Sequence, residues 1–107
     1  DVLFEKQWAL TLLDTVLQRL REEYARDGRE RIFDGLKSRL SVGDDSDSLA
    51  VVAAELGMNE GAVKVAVFRL RQRYRKQLHD QIALTVESPD DVNEEIMHLF
   101  KLFETRD

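Results

Sequence analysis

Residues 49–69 read LAVVAAELGMNEGAVKVAVFR. Two apolar patterns meet at Gly57. Before it, Leu49, Val52, Ala53 and Leu56 recur at helical spacing. After it, Val63, Ala66, Val67, Leu70 and Tyr74 fall in one narrow sector at 100° per residue. Two helices that cross closely need a small residue at the crossing, a turn residue that tolerates positive φ, and apolar side chains to lock the angle. Ala53 supplies the first and Gly57, four residues on, the second. Val52, Leu56, Met58, Val63 and Val67 supply the third. The stretch therefore predicts a helix-turn-helix. Its first helix starts near Asp47 or Ser48, both good N-caps, and ends at Gly57. Asn59 caps the second, which runs from Glu60 to about Leu84, roughly 37 Å at 1.5 Å per residue. An ordinary αα-hairpin turning at Gly57 is the plainer alternative, and it leaves the charge of the second helix unexplained.

Upstream, Phe4, Trp8, Leu12, Leu13, Val16, Leu17, Leu20 and Tyr24 form one apolar face, predicting a helix over about Leu3 to Tyr24 that stops at Asp27-Gly28. A short helix over about Arg29 to Leu40 buries Ile32, Phe33, Leu36 and Leu40. Residues 41–47 (SVGDDSD) read as an acidic loop. Downstream, Ser88-Pro89-Asp90-Asp91 is a strong helix start, followed by Val92, Ile96, Leu99, Phe100 and Phe103 on one face. With no strand pattern, the expected fold is all-α with about five helices: a helix-turn-helix, winged-helix-like, with a long N-terminal helix and an additional C-terminal one. The expected divisions are an N-terminal helical segment (1–40), the acidic loop (41–47), the helix-turn-helix (48–78) and a helix extension with an acidic last helix (79–107).

Composition narrows the function. The 107 residues are 43% hydrophobic and 35% charged, with one Pro, the profile of a folded, helix-rich domain rather than a disordered chain. Absence of Cys removes disulfides, thiolate metal sites and a Cys nucleophile. No apolar run approaches 18 residues and no signal-peptide layout is present, so the expectation is a cytoplasmic protein without a membrane partner. The first residue is Asp1, which suggests a piece of a longer protein or a processed one. His79 and His98 are isolated and no Gly-rich phosphate loop occurs, so neither an enzyme nor a cofactor is expected.

Net charge is −5, but it is unevenly spread. Residues 1–60 hold thirteen acids against eight bases, and 77–107 hold eight acids against two. Between them, residues 61–76 hold six bases (Lys64, Arg69, Arg71, Arg73, Arg75, Lys76) and no acid. A solvated helix face normally mixes signs or forms i,i+4 pairs. A concentrated stripe attracts phosphates even on an acidic protein, because salt confines charge effects to about 10 Å at 0.1 M.

The pattern points to double-stranded DNA. In helix-turn-helix docking the start of the second helix meets base edges. Asn59, Glu60, Lys64, Val65 and Phe68 are the expected readers, Arg69 reaches bases or phosphate, and Arg71, Arg73 and Arg75 are placed as phosphate clamps. Two of these keep a second reading. Glu60 either accepts from a cytosine amino group or only favours the helix N-terminus through the dipole. Phe68 either meets a thymine methyl or packs under a neighbouring helix.

The run SLAVVAAELGMNEGAVKVAVFRLRQRYR resembles region 4 of sigma-70 family sigma factors of the extracytoplasmic-function (ECF) class, whose approximate pattern is Tyr-x-x-Ile-Ala-x-x-Leu-Gly-x-Ser-x-Gly-Thr-Val-Lys-x-Arg-Leu-x-Arg-Ala-Arg. Val52, Ala53, Leu56, Gly57, Gly61, Val63, Lys64, Arg69 and Arg71 carry the match. The form EGAVKVAV followed by RLR is similar to a planctomycete-like variant, and WALTLLDTVLQRLREEY looks like the stretch joining regions 2 and 4 in that group. Leu49 stands where an aromatic is usual, Asn59 where Ser is, and Ala66-Val67 where Arg-Leu or Arg-Ile is common. The resemblance implies recognition of the promoter minus-35 element by Lys64, Val65, Phe68 and Arg69 with Asn59 at the cap, docking on the β-subunit flap of RNA polymerase core, and an anti-sigma factor as a further partner. Region 2 is not visible, so the chain alone is not expected to initiate transcription.

Two other functions fit a helix-turn-helix. A dimeric transcriptional regulator would read half-sites about one DNA turn apart. A protein-interaction module would use the motif to bind a partner such as an anti-sigma factor. The last helix has two readings as well. It packs through Ile96, Leu99, Phe100 and Phe103, or its acids compete with DNA for the basic face.

Overall fold

The computed structural model describes residues 2–40, 48–86, 88 and 90–104. The acidic loop 41–47 lies outside them. The described chain is all-α, with five α-helices and no strand: α1 (Val2–Arg26), α2 (Glu30–Leu36), α3 (Leu49–Leu56), α4 (Glu60–Ala83) and α5 (Asp91–Glu104). The expected second helix is shorter than its apolar spacing suggests. It is α-helical only to Leu36, and Lys37–Leu40 tighten into a 3₁₀ turn.

The turns follow from local chemistry. Gly28 and Gly57 adopt left-handed φ values of 72° and 67°, where a Cβ would meet the backbone. After α1, the Arg29 amide reaches back to the Tyr24 carbonyl at 2.7 Å. After α3, the Met58 amide donates to the Ala53 carbonyl at 2.9 Å. Each bond satisfies a carbonyl that a helix end leaves open. Ser48 Oγ accepts from the Val51 amide at 3.3 Å, and Asn59 Oδ1 accepts from the Ala62 amide at 2.7 Å, as expected of N-caps. Arg31 Nη2 closes the other end of α3, donating to the Glu55 carbonyl at 2.7 Å.

Two apolar clusters share the same pair of long helices. One joins Leu20 and Tyr24 of α1, Phe33 and Leu36 of α2, Val52 and Ala53 of α3, and Val63, Val67 and Leu70 of α4. The other joins Ala9, Leu12 and Val16 of α1, Leu78 and Ile82 of α4, and Val92 and Leu99 of α5. Tyr74 packs against both, and its burial pushes its phenol pKa up. Each fully buried Leu or Ile contributes roughly 1.5–3 kcal/mol relative to solvent. Helix α4 runs unbroken across the expected division at residue 78, so the helix-turn-helix and its extension share one rod.

Two apolar positions depart from expectation. Phe4 and Phe100 belong to periodic faces yet are 70% and 51% exposed. Both lie near the ends of their helices, and Phe4 borders a shallow groove with Trp8 of α1 and Glu95 and His98 of α5. Phe103, the remaining apolar residue predicted for α5, lies outside the residues whose side chains are described.

Candidate nucleic-acid interface

The first cluster holds α4 by its Val63–Val67–Leu70 stripe, so the opposite face is turned outward. Lys64, Val65, Phe68 and Arg69 are all exposed there, Val65 at 49% and Phe68 at 60%. Phe68 is therefore not packed under a neighbouring helix. It borders an open groove with Leu49, Arg39, Lys64, Val67 and Arg71. An exposed aromatic among cations is the unusual feature of this face, because a large apolar side chain in water favours burial.

Asn59 and Glu60 open the same helix. The side-chain oxygen of Asn59 is committed to the Ala62 amide. Glu60 occupies the first turn, where the helix dipole favours a carboxylate. Both are exposed at the end of α4 that would approach a groove floor.

The three arginines expected to clamp phosphate do not behave alike. Arg71 reaches the 3₁₀ turn Lys37–Leu40, donating from Nε at 3.3 Å and Nη2 at 3.1 Å to the Arg39 carbonyl. The Arg73 guanidinium lies 4.9 Å over the Tyr24 ring, and its Nη1 is 3.9 Å from Asp27. Both are engaged by other elements of the fold, Arg71 while remaining exposed. Only Arg75 points outward with no hydrogen bond or ion pair among the described residues. It stands eleven residues beyond Lys64, or about 16 Å along the helix. Lys76, next to it, pairs with Asp80 at 3.4 Å.

Beside the outward face lies a cavity of about 260 Å³ between α4 and the α1–α2 turn. Ile32, Met58, Ala62 and Ala66 form its apolar part, and Val65 and Arg69 form the wall shared with the candidate reading face. Tyr24, Arg29 and Arg73 complete it. Arg29 was not among the residues singled out from the sequence. It sits in the turn before α2, far from the basic run in the chain, and only tertiary packing brings it there.

No described acid of α5 lines either groove of this face. Helix α5 packs through Val92 and Leu99 on Leu78 and Ile82, in the second half of α4, and on the first half of α1. Its packing role is therefore observed. Among the described residues no group of three His, Asp or Glu side chains is arranged to hold a metal, and no helix is long and apolar enough to cross a membrane.

No family model, curated protein or solved structure matches the chain.

Proposed function

We propose that this chain is a promoter-recognition domain, the region 4 of an ECF-type sigma factor, which reads a minus-35 element through the outward face of α4. The observation that carries the reading is the juxtaposition of Lys64, Val65, Phe68 and Arg69 on the exposed face of the second helix of a helix-turn-helix, in a stretch without a single acid. Lys64 and Arg69 supply donors for base-edge acceptors or phosphate oxygens. Val65 and Phe68 supply apolar contact of the kind a thymine methyl offers. Such a module uses phosphate contacts for orientation and a few side chains for sequence. RNA polymerase core, through its β flap, and an anti-sigma factor belong to this proposal as partners, and the cytoplasm as its compartment.

The test is titration of a fluorescent duplex library at several salt concentrations, beside a Lys64→Ala/Arg69→Ala double variant. Sequence-selective, salt-dependent binding that the variant loses supports the reading. A dimer on a palindrome would move the assignment to a dimeric regulator. Equal binding by both proteins, or none at low salt, would move it to a protein-interaction module.

A further inference from the structure

We infer that Arg29, in the turn between α1 and α2, is a phosphate contact that completes the DNA-binding surface from outside the helix-turn-helix. The inference rests on the DNA reading of α4 and adds to it a residue from another element.

The geometry is that of a cationic rim. Arg29 and Arg69 line the same cavity from opposite elements, and no acid is among the lining residues. Both guanidinium groups are exposed and make no hydrogen bond or ion pair among the described residues. Arg19 is similarly exposed on α1 but lines no cavity with a second cation. Arg73, the third cation of the cavity, is different: Tyr24 holds it from below and Asp27 lies at its flank. It therefore acts as a support, and leaves Arg29 and Arg69 as the two uncompensated charges.

Two like charges held beside one cavity repel each other, and an anion between them relieves that repulsion. Arg69 shares its wall with Val65, a member of the reading face. A duplex seated on Lys64, Val65 and Phe68 has a phosphate strand at each edge of its groove. The strand on the Arg69 side passes over the cavity and meets Arg29. A guanidinium suits that task because its planar fork of donors matches phosphate oxygens. Arg75 serves the same purpose farther along α4, so the two contacts come from different elements on one surface.

A phosphate contact carries no sequence information, and this sets the test. Binding of the intact chain to a selected duplex and to a scrambled one is measured across a salt series for the wild type, Arg29→Ala, Arg29→Lys and Arg19→Ala. The loss of one phosphate contact lowers the slope of log K against log salt by about 0.9 and weakens binding about 5-fold near 0.1 M salt. We expect this for Arg29→Ala on both duplexes equally, with most of the slope kept by Arg29→Lys and none lost by Arg19→Ala. A wild-type slope in Arg29→Ala, while the wild type binds DNA, overturns the inference and leaves the reading of α4 standing. An equal loss in Arg19→Ala also overturns it, since the effect would then be one of net charge. Absence of wild-type binding at low salt removes the reading of α4 and the inference with it.

Discussion

The guanidinium of Arg71 donates twice to one backbone oxygen, the Arg39 carbonyl, at 3.3 and 3.1 Å. The contact ties the middle of α4 to the end of the 3₁₀ turn, just before the segment that leads into α3. It converts a residue that reads as a DNA clamp in the sequence into a staple between elements.

Arg71→Ala is accordingly expected to lower stability by about 1.5–3 kcal/mol, the range for hydrogen bonds to a charged group. The salt slope of DNA binding should stay unchanged. Arg75→Ala should do the reverse, lowering the slope by about 0.9 with unchanged stability. Urea unfolding and salt-dependent titration of the two variants check this. A slope loss in Arg71→Ala would return that residue to the phosphate surface.

Gly57 stands at φ 67° in the turn between α3 and α4. A Cβ there meets no neighbouring side chain, so its cost is conformational alone. Gly57→Ala should destabilise by roughly 1–2 kcal/mol, and Gly57→Asn by less. At Gly35 the cause differs: a Cβ would lie 3.0 Å from Leu56 Cδ2, so Gly35→Ala requires the end of the Leu56 side chain to give by a few tenths of an ångström. Thermal denaturation of the three variants separates these causes. An unchanged melting temperature for Gly57→Ala would contradict the strained turn.

Asp34 accepts two hydrogen bonds from Arg21, both 3.1 Å, and these hold its carboxyl below the ordinary carboxylate range. A depressed folded pKa contributes stability above the unfolded value of about 4 and loses it as pH falls through the folded value. Both groups are exposed, so the effect is small. Melting curves between pH 6 and pH 2 should fall less steeply on the acid side for Asp34→Asn than for the wild type. Parallel curves would show that the pair contributes nothing in solution.

Leu99 is 1% exposed in the cluster that α5 shares with α1 and α4. Leu99→Ala should cost about 2–5 kcal/mol. Ending the chain after Val86 should lower the melting temperature further and open the Leu78–Ile82 surface to an apolar dye. Tighter DNA binding without any loss of stability would instead favour the acidic helix as a competitor of DNA.

Much of this architecture was legible because it is local. The caps at Ser48 and Asn59, the positive φ at Gly57 and the buried stripe of α4 each depend on residues within a few positions of one another. What was not legible depends on distance in the chain. Arg71 finds a carbonyl 32 residues away, and nothing in the run RLRQRYR separates it from Arg75. Arg73 stacks on an aromatic of α1, and Arg29 joins the cavity from a turn. Periodicity likewise overstated the burial of Phe4 and Phe100, since it reports which way a side chain faces and not how closely a neighbour packs on it. The candidate reading face was legible in part: its residue types follow from α4 alone, but which of its cations remain outward does not.

The two clusters hang on α1 and α4, and α4 is a single helix of 24 residues. Its length, about 36 Å, makes it a lever with the exposed Lys64–Arg69 face near one end and α5 fastened near the other. A body that gripped the α5 end would set the angle at which that face is presented without touching it. Torque applied there would travel through the Tyr74 region, where both clusters meet, and a softened packing at that joint would decouple aim from grip.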